Sequence, residues 1–325
     1  MPICQPGPWH GWGNEEKAAK RSTGMNEKIV PSRVVNRFAE RHGISIEDLG
    51  VAPLVVVSWG RGMTRSLAEA ADAKLCEKWM WHDKYKLYRG ELHGHPVSFG
   101  NVPVGAPGTV MVMEEMIACG ARSFIGYGIA GSLQPQAPIG TAIIPTGCIS
   151  EEGTSRHYLD PLQDIAASVR LAELLDQSCR KEGLVALKGL HWTTDAPYRE
   201  TEEKVKTYAR KGVLGVDMET SAMYALGIFR GVEVCNLLTV SDELWGDWHP
   251  PFEAKHLEAA KTAKERAERA ILASLKEAAV FPNRRVPRNG GIWILFIFSS
   301  AVWSRYPMSA YVLCRPYVLR QASVR

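Results

Sequence analysis

Two short acidic runs stand where an apolar segment gives way to a polar one, and carboxylates in that setting can do chemistry. Val213 to Val216 reads as a buried strand that runs directly into Asp217-Met218-Glu219. Thr220 and Ser221 then open a helix whose apolar residues Ala222, Met223, Leu226 and Phe229 recur at helical spacing. Val234 to Val240 is a second apolar strand, ending in Ser241-Asp242-Glu243 before an aromatic loop, Trp245 to Phe252. In α/β sheets ligands bind beyond the carboxyl ends of the strands, and a carboxylate there accepts hydrogen bonds from paired sugar hydroxyls. The competing role for Asp217 or Glu219 is to cap the helix and offset its dipole.

The rest of the chain supplies strands and helices in alternation that would hold these junctions. Leu54 to Ser58 reads as a buried strand, Trp59-Gly60-Arg61-Gly62 as a turn, with a helix from about Thr64. Glycines before a helix N-terminus let backbone N–H groups approach an anion, and Arg61 or Arg65 could add charge; ordinary turns share this pattern. Leu87 to Leu92 and Pro96 to Val102 form an expected hairpin about His93-Gly94. Gly105 to Gly108 then feeds a helix from Thr109 to Cys119. Ser123 to Tyr127 is the next strand, followed by a tight turn, Gly128-Ile129-Ala130-Gly131. Thr141 to Ile149 leads into Glu151 to Tyr158, where Thr154, Arg156 and His157 could line a pocket or belong to a solvated loop. A helix over Pro161 to Glu182, a strand over Leu184 to Thr193 and a long amphipathic helix over Glu253 to Ala279 complete the pattern, with an earlier helix over Pro31 to His42 ended by Gly43. The alternation predicts an α/β fold, a three-layer α/β/α sandwich around a central mixed sheet.

Composition narrows the class. At 325 residues and 46% hydrophobic content the chain can bury a substantial core. Its net charge of +4 is uneven: removing the +7 of Asn283 to Arg325 and the +1 of Met1 to Gly24 leaves −4 for residues 25–282. A mildly acidic body argues against a nucleic-acid surface. Seven dispersed cysteines without a CxxC pair point to reduced thiols and a cytoplasmic setting, and no ligand spacing points to a metal. Residues 1–24 form an expected extension, residues 25–282 the catalytic body, and residues 283–325 an atypical Arg-rich, apolar tail too short in its apolar run for a membrane span.

The runs VDMETSA and TVSDEL, with EEMIACGARSFIGYGIAG (Glu114 to Gly131) and ISEEGTSRHY (Ile149 to Tyr158), resemble the nucleoside phosphorylases, the purine nucleoside phosphorylase and uridine phosphorylase type. The resemblance covers most of Pro53 to Glu258 in order. It implies the phosphorylase fold, a ring-like homo-oligomer (a hexamer or trimer of dimers), and cleavage of an N-glycosidic bond with phosphate as co-substrate and no cofactor. Residue by residue it implies Glu219, with Asp217 and Met218, on the ribose, and Asp242 as the acid at the purine N7. Tyr198 would pack on the base, and Gly128 and Thr154 would line the substrate. Gly60, Arg65 and Arg61 would stand at phosphate. Asp242 without a Gln/Arg pair favours purines over uridine. The chain departs from the family at phosphate, with Gly126, Ile129 and Asp83 where Arg, a hydroxyl and a partner subunit's Arg are expected. Hydrolysis by water and a non-catalytic nucleoside-binding role therefore stand as alternatives.

Overall fold

The computed structural model describes residues 27–248 and 254–280; the expectations for residues 1–24 and 283–325 lie outside them. In chain order the elements are α1 (Pro31–His42), β1 (Leu54–Ser58), α2 (Arg61–Ala70), β2 (Lys74–Leu75), β3 (Leu87–Leu92), β4 (His95–Asn101), α3 (Ala106–Ala118), β5 (Ser123–Ser132) and β6 (Ala142–Glu151). There follow α4 (Val169–Lys181), β7 (Ala186–Thr194), α5 (Glu202–Arg210), β8 (Gly215–Asp217), α6 (Thr220–Arg230), β9 (Glu233–Glu243) and α7 (Ala254–Val280). Among the described residues no helix is long and apolar enough to cross a membrane.

The nine strands form one mixed sheet in the order β2-β3-β4-β1-β5-β8-β7-β6-β9, and β9 pairs again with β5, so half of the sheet closes on itself. Strand periodicity explains the layers. Leu54 and Val56 of β1 enter one apolar cluster, with Leu67 of α2, Leu171 and Leu175 of α4, and Ile271 and Leu275 of α7. The intervening Val55 and Val57 enter a second, with Val35 of α1, Val110 and Met113 of α3, and Ala222, Met223 and Leu226 of α6. Alternate side chains of a strand face opposite sides of the sheet, so each face is covered by its own three helices. This is the mixed α/β sandwich that the alternation predicted.

Local differences from the sequence reading have local causes. Helix α2 starts at Arg61, with Gly60 as its N-cap, three residues before the expected start. Helix α4 starts at Val169 rather than Pro161, because Ser168 supplies the N-cap, accepting from the Leu171 N–H. The expected turn at Gly128 to Gly131 is strand: β5 runs on to Ser132, pairing in parallel with β9, with a register shift at Ala130/Gly131. Its glycines serve close approach rather than reversal. A Cβ on Gly126 would sit 2.1 Å from Asn236 Oδ1, and one on Gly128 would sit 2.6 Å from the Trp59 ring. Leu257, expected inside α7, is exposed.

Candidate active site

Thr220, at the start of α6, follows β8 directly, and the two acids between them divide the roles that sequence left open. Asp217 is the cap. Its Oδ1 and Oδ2 accept from the Thr220 N–H at 3.3 and 3.1 Å, its Oδ2 from the Thr220 hydroxyl, and its Oδ1 from the Thr193 hydroxyl at 2.9 Å. His191 Nε2 lies 3.4 Å from Asp217 Oδ1. Every oxygen of Asp217 is engaged by protein, so it positions the helix rather than holding a sugar, which corrects its assignment to the substrate. Glu219 makes no cap bond. Buried at 6% exposure, it accepts a hydrogen bond at 2.5 Å from the Gly105 N–H, at the N-terminus of α3, through Oε1. Burial first, and the charge of Asp217 second, push its carboxyl up to about 8. Met218 between them is half-buried.

Asp242 lies near the end of β9, opposite Gly131 of β5; on its other edge Gly131 pairs with Val216, the residue before Asp217. The register therefore brings the two acidic junctions to neighbouring strand ends. Asp242 Oδ2 lies 3.5 Å from where a Cβ on Gly131 would stand, so the missing side chain leaves room for the carboxylate. Ser241 Oγ donates to its Oδ1 at 2.6 Å and Trp248 Nε1 to its Oδ2 at 3.1 Å.

A third acid joins them. Glu200 follows the short helix Pro197–Arg199 that leaves the end of β7; it is half-buried, and its carboxyl is pushed up to about 7 by burial, then by Asp242 and Asp217. Asp217 thus perturbs both Glu219 and Glu200, and Asp242 perturbs Glu200: the acids from β8, β9 and the loop after β7 share one region. Sequence reading missed Glu200 because its signal, one acid in an acidic stretch before α5, looks like the ordinary first turn of a helix. The helix α5 itself was missed too, although Thr201 caps it through the Lys204 N–H.

At the end of β1 the arrangement is less favourable to an anion. Gly60 is the N-cap of α2 and leaves backbone N–H groups facing outward from its first turn. Arg65 does not reach it: exposed, it forms an ion pair with Glu69 at 2.7 Å on the outer face of α2, because one residue further along the helix turns the side chain away. Thr64, one position earlier, is buried against the Ser58 hydroxyl. Arg61 is exposed and makes a 3.4 Å contact to the Lys84 carbonyl. The Trp59 indole, donating to Thr109 Oγ1 at 2.8 Å, covers Gly128. Asn236 fills the space beside Gly126 and donates to Thr220 Oγ1 at 2.8 Å. Neither Trp59 nor Asn236 was singled out by sequence.

Two other expected residues fall elsewhere. Tyr198 is 99% exposed, on the outer side of its short helix, and packs on nothing in the chain; its polar neighbours do not draw it inward, which corrects the base-stacking assignment. Thr154 borders a cavity of ≈ 710 Å³, with Glu27, Met111, Asp195 and Arg230, that neither Glu219 nor Asp242 lines. The loop bearing Thr154 is tied to the site through Glu152. That buried carboxylate accepts from the Thr154 N–H at 2.5 Å, the Ser150 hydroxyl at 2.7 Å and the Ser221 hydroxyl of α6 at 3.0 Å.

The profile of the phosphorylase superfamily matches residues 54–276, which contain every one of these strand ends. The chain belongs to that superfamily. Guanosine phosphorylase of Halorubrum lacusprofundi is 23% identical over 245 residues, 73% of this chain and 98% of the relative. A DeoD-type purine nucleoside phosphorylase of Clostridium novyi is 29% identical over 160 residues, 48% of this chain and 68% of the relative. The crystal structure of uridine phosphorylase from Vibrio fischeri superposes with a TM-score of 0.64 at 24% identity, covering 71% of this chain and 94% of that one, and supports the fold. Membership makes the strand-end acids of β8 and β9 an enzyme's active site.

Proposed function

We propose that the protein cleaves the N-glycosidic bond of a purine nucleoside by phosphorolysis, giving free base and ribose 1-phosphate. The observation that carries this is Glu219: a buried carboxylate that does not cap its helix, held through one oxygen by the Gly105 N–H and open at the other. Such a group binds paired hydroxyls of a ribose. As the bond breaks, positive charge grows on the sugar and negative charge on the base. Glu219 holds and orients the sugar, with Met218 beside it, and Asp242 hydrogen-bonds or protonates the departing base at N7, its orientation fixed by Ser241 and Trp248. Gly60, with the N–H groups of the first turn of α2, is the remaining candidate for phosphate. Purine over uridine is supported by Asp242, and the naming of a relative that matches this chain over nearly its whole length as a guanosine phosphorylase agrees.

Hydrolysis is the second reading, favoured by a specific observation. Trp59 over Gly128, Asn236 against Gly126 and the outward ion pair of Arg65 leave the anion few charged contacts. A homo-oligomer is part of the proposal: Ile29 at 81%, Val34 at 40% and Met111 at 45% exposure leave apolar surface around the large cavity for a second copy. So is a reducing, cytoplasmic setting, supported by Cys76, Cys119, Cys148, Cys179 and Cys235, all free thiols. Purine and pyrimidine nucleosides assayed for free base with and without phosphate test the reading. Release that needs phosphate and prefers purines supports phosphorolysis, phosphate-independent release moves the chain to the nucleosidases, and binding without release leaves a nucleoside-binding protein.

A further inference from the structure

Asp242 and Glu200 perturb each other's neighbourhood, yet no hydrogen bond joins them, and among the described residues no side chain donates to Glu200. An acceptor group of this kind, half-buried and unpaired, is costly unless a ligand supplies the donors. Its place is fixed by backbone bonds: Ala196 N–H to the Thr194 hydroxyl at 3.2 Å, Arg199 N–H to the Ala196 carbonyl at 2.8 Å, and Glu200 N–H to the Pro197 carbonyl at 3.1 Å. These fold the loop after β7 back toward the ends of β8 and β9, instead of letting it run on into α5. Two carboxylates facing across a gap, on the base side of the site, form a slot rather than a dyad.

We propose that Glu200 reads the base, accepting from N1–H and the 2-amino group of a 6-oxopurine, so that the enzyme selects guanosine-type nucleosides over adenosine. The proposal rests on the nucleoside reading above and on Asp242 standing at N7. The chemistry of the edges decides which base fits. Guanine presents two adjacent donors, which match the two oxygens of a carboxylate. Hypoxanthine presents one. Adenine places an acceptor, N1, beside its amino donor, and uracil flanks its single N3–H with two acceptors, so each sets a lone pair against Glu200. A site built to hydrogen-bond a substrate rejects the analogue lacking the donor strongly, because its own polar group is then left buried and unpaired. The two N–H donors also favour the ionised carboxylate, so binding guanosine draws a proton off Glu200; its carboxyl, raised to about 7 in the free chain, has one to release.

The test is kcat/KM for guanosine, inosine and adenosine with the wild type and Glu200→Gln, an isosteric change whose fold is checked by circular dichroism. A carboxamide offers one acceptor and one donor, the pattern adenine complements. The wild type should rank guanosine above inosine above adenosine, and Glu200→Gln should shrink the guanosine-to-adenosine ratio by about 100-fold or more. A ratio that stays within about threefold of wild type, or a wild type that prefers adenosine, overturns the proposal. If the wild type releases no base from any nucleoside, the glycosidic reading itself has failed. Calorimetric binding of guanosine to the two proteins then decides on Glu200 alone: weaker binding and lost proton release in Glu200→Gln sustain the assignment, and equal affinity removes it.

Discussion

Glu219→Gln separates function from stability more sharply than any other single change here. The side chain keeps its shape and can still accept from the Gly105 N–H, so the backbone of α3 and α6 need not move. What is lost is charge. A hydrogen bond to a charged group contributes about 1.5–3 kcal/mol, and two ribose hydroxyls share this carboxylate, so kcat/KM should fall by roughly 30- to 1000-fold. Stability moves the other way. The carboxyl is raised from 4.5 to about 8 in the folded chain by burial and by Asp217. Between those values the folded protein holds a proton that the unfolded chain has released, so stability is lost as pH rises from about 4.5 through about 8. At 1.36 kcal/mol per tenfold in proton affinity the loss is at most ~4 kcal/mol. A glutamine does not titrate. Urea unfolding at pH 5 and pH 8 should therefore show the variant gaining on the wild type by a few kcal/mol at the higher pH, while the phosphorolysis assay shows it nearly inactive. Equal pH dependence of the two proteins, or activity within about threefold of wild type, would falsify the assignment of a buried, functional carboxylate.

Asp242→Asn should lower turnover on purine nucleosides by about a hundred- to ten-thousand-fold, read as release of free base; near-wild-type rates would take Asp242 out of the mechanism. Asp217→Asn should act on stability first, by about 1–3 kcal/mol, because bonds from Thr193 and Thr220 lose a charged acceptor; an unchanged denaturation midpoint would contradict its capping role. Arg65→Ala should leave the phosphate dependence of base release unchanged, since its partner is Glu69; a raised KM for phosphate would bring it back into the anion site. On the ascending side of the pH profile, kcat/KM should rise as Glu200 and Glu219 lose their protons near 7 and 8, and the limb near 8 should vanish in Glu219→Gln.

Much of the scaffold was legible because its signals are short-range. The apolar run of β1, the Pro31 start and Gly43 end of α1, and the Gly231 end of α6 coincide with observed boundaries. The junction carrying Glu219 was readable for the same reason: strand, acid and helix are contiguous. Long-range pairing was not readable. Nothing near Gly128 announces that β5 continues, because its partner strand lies more than a hundred residues away, at Leu238. The same limit hid Asn236 against Gly126 and Glu200 beside Asp242, and it made Tyr198 look like a base platform when its loop turns the ring outward. Arg65 was misjudged by a single helical position, which in an α-helix is a rotation of about 100°.

Strand β9 has a temporal consequence. It is the last strand in the chain, and it joins both β5 and β6. During synthesis, β5 and β6 must wait with an unpaired edge until residues 233–243 leave the ribosome, and the catalytic cleft cannot exist before then. A nascent chain cut short of Glu233 would retain most of its helices and two sticky edges, and would be expected to aggregate rather than to work slowly.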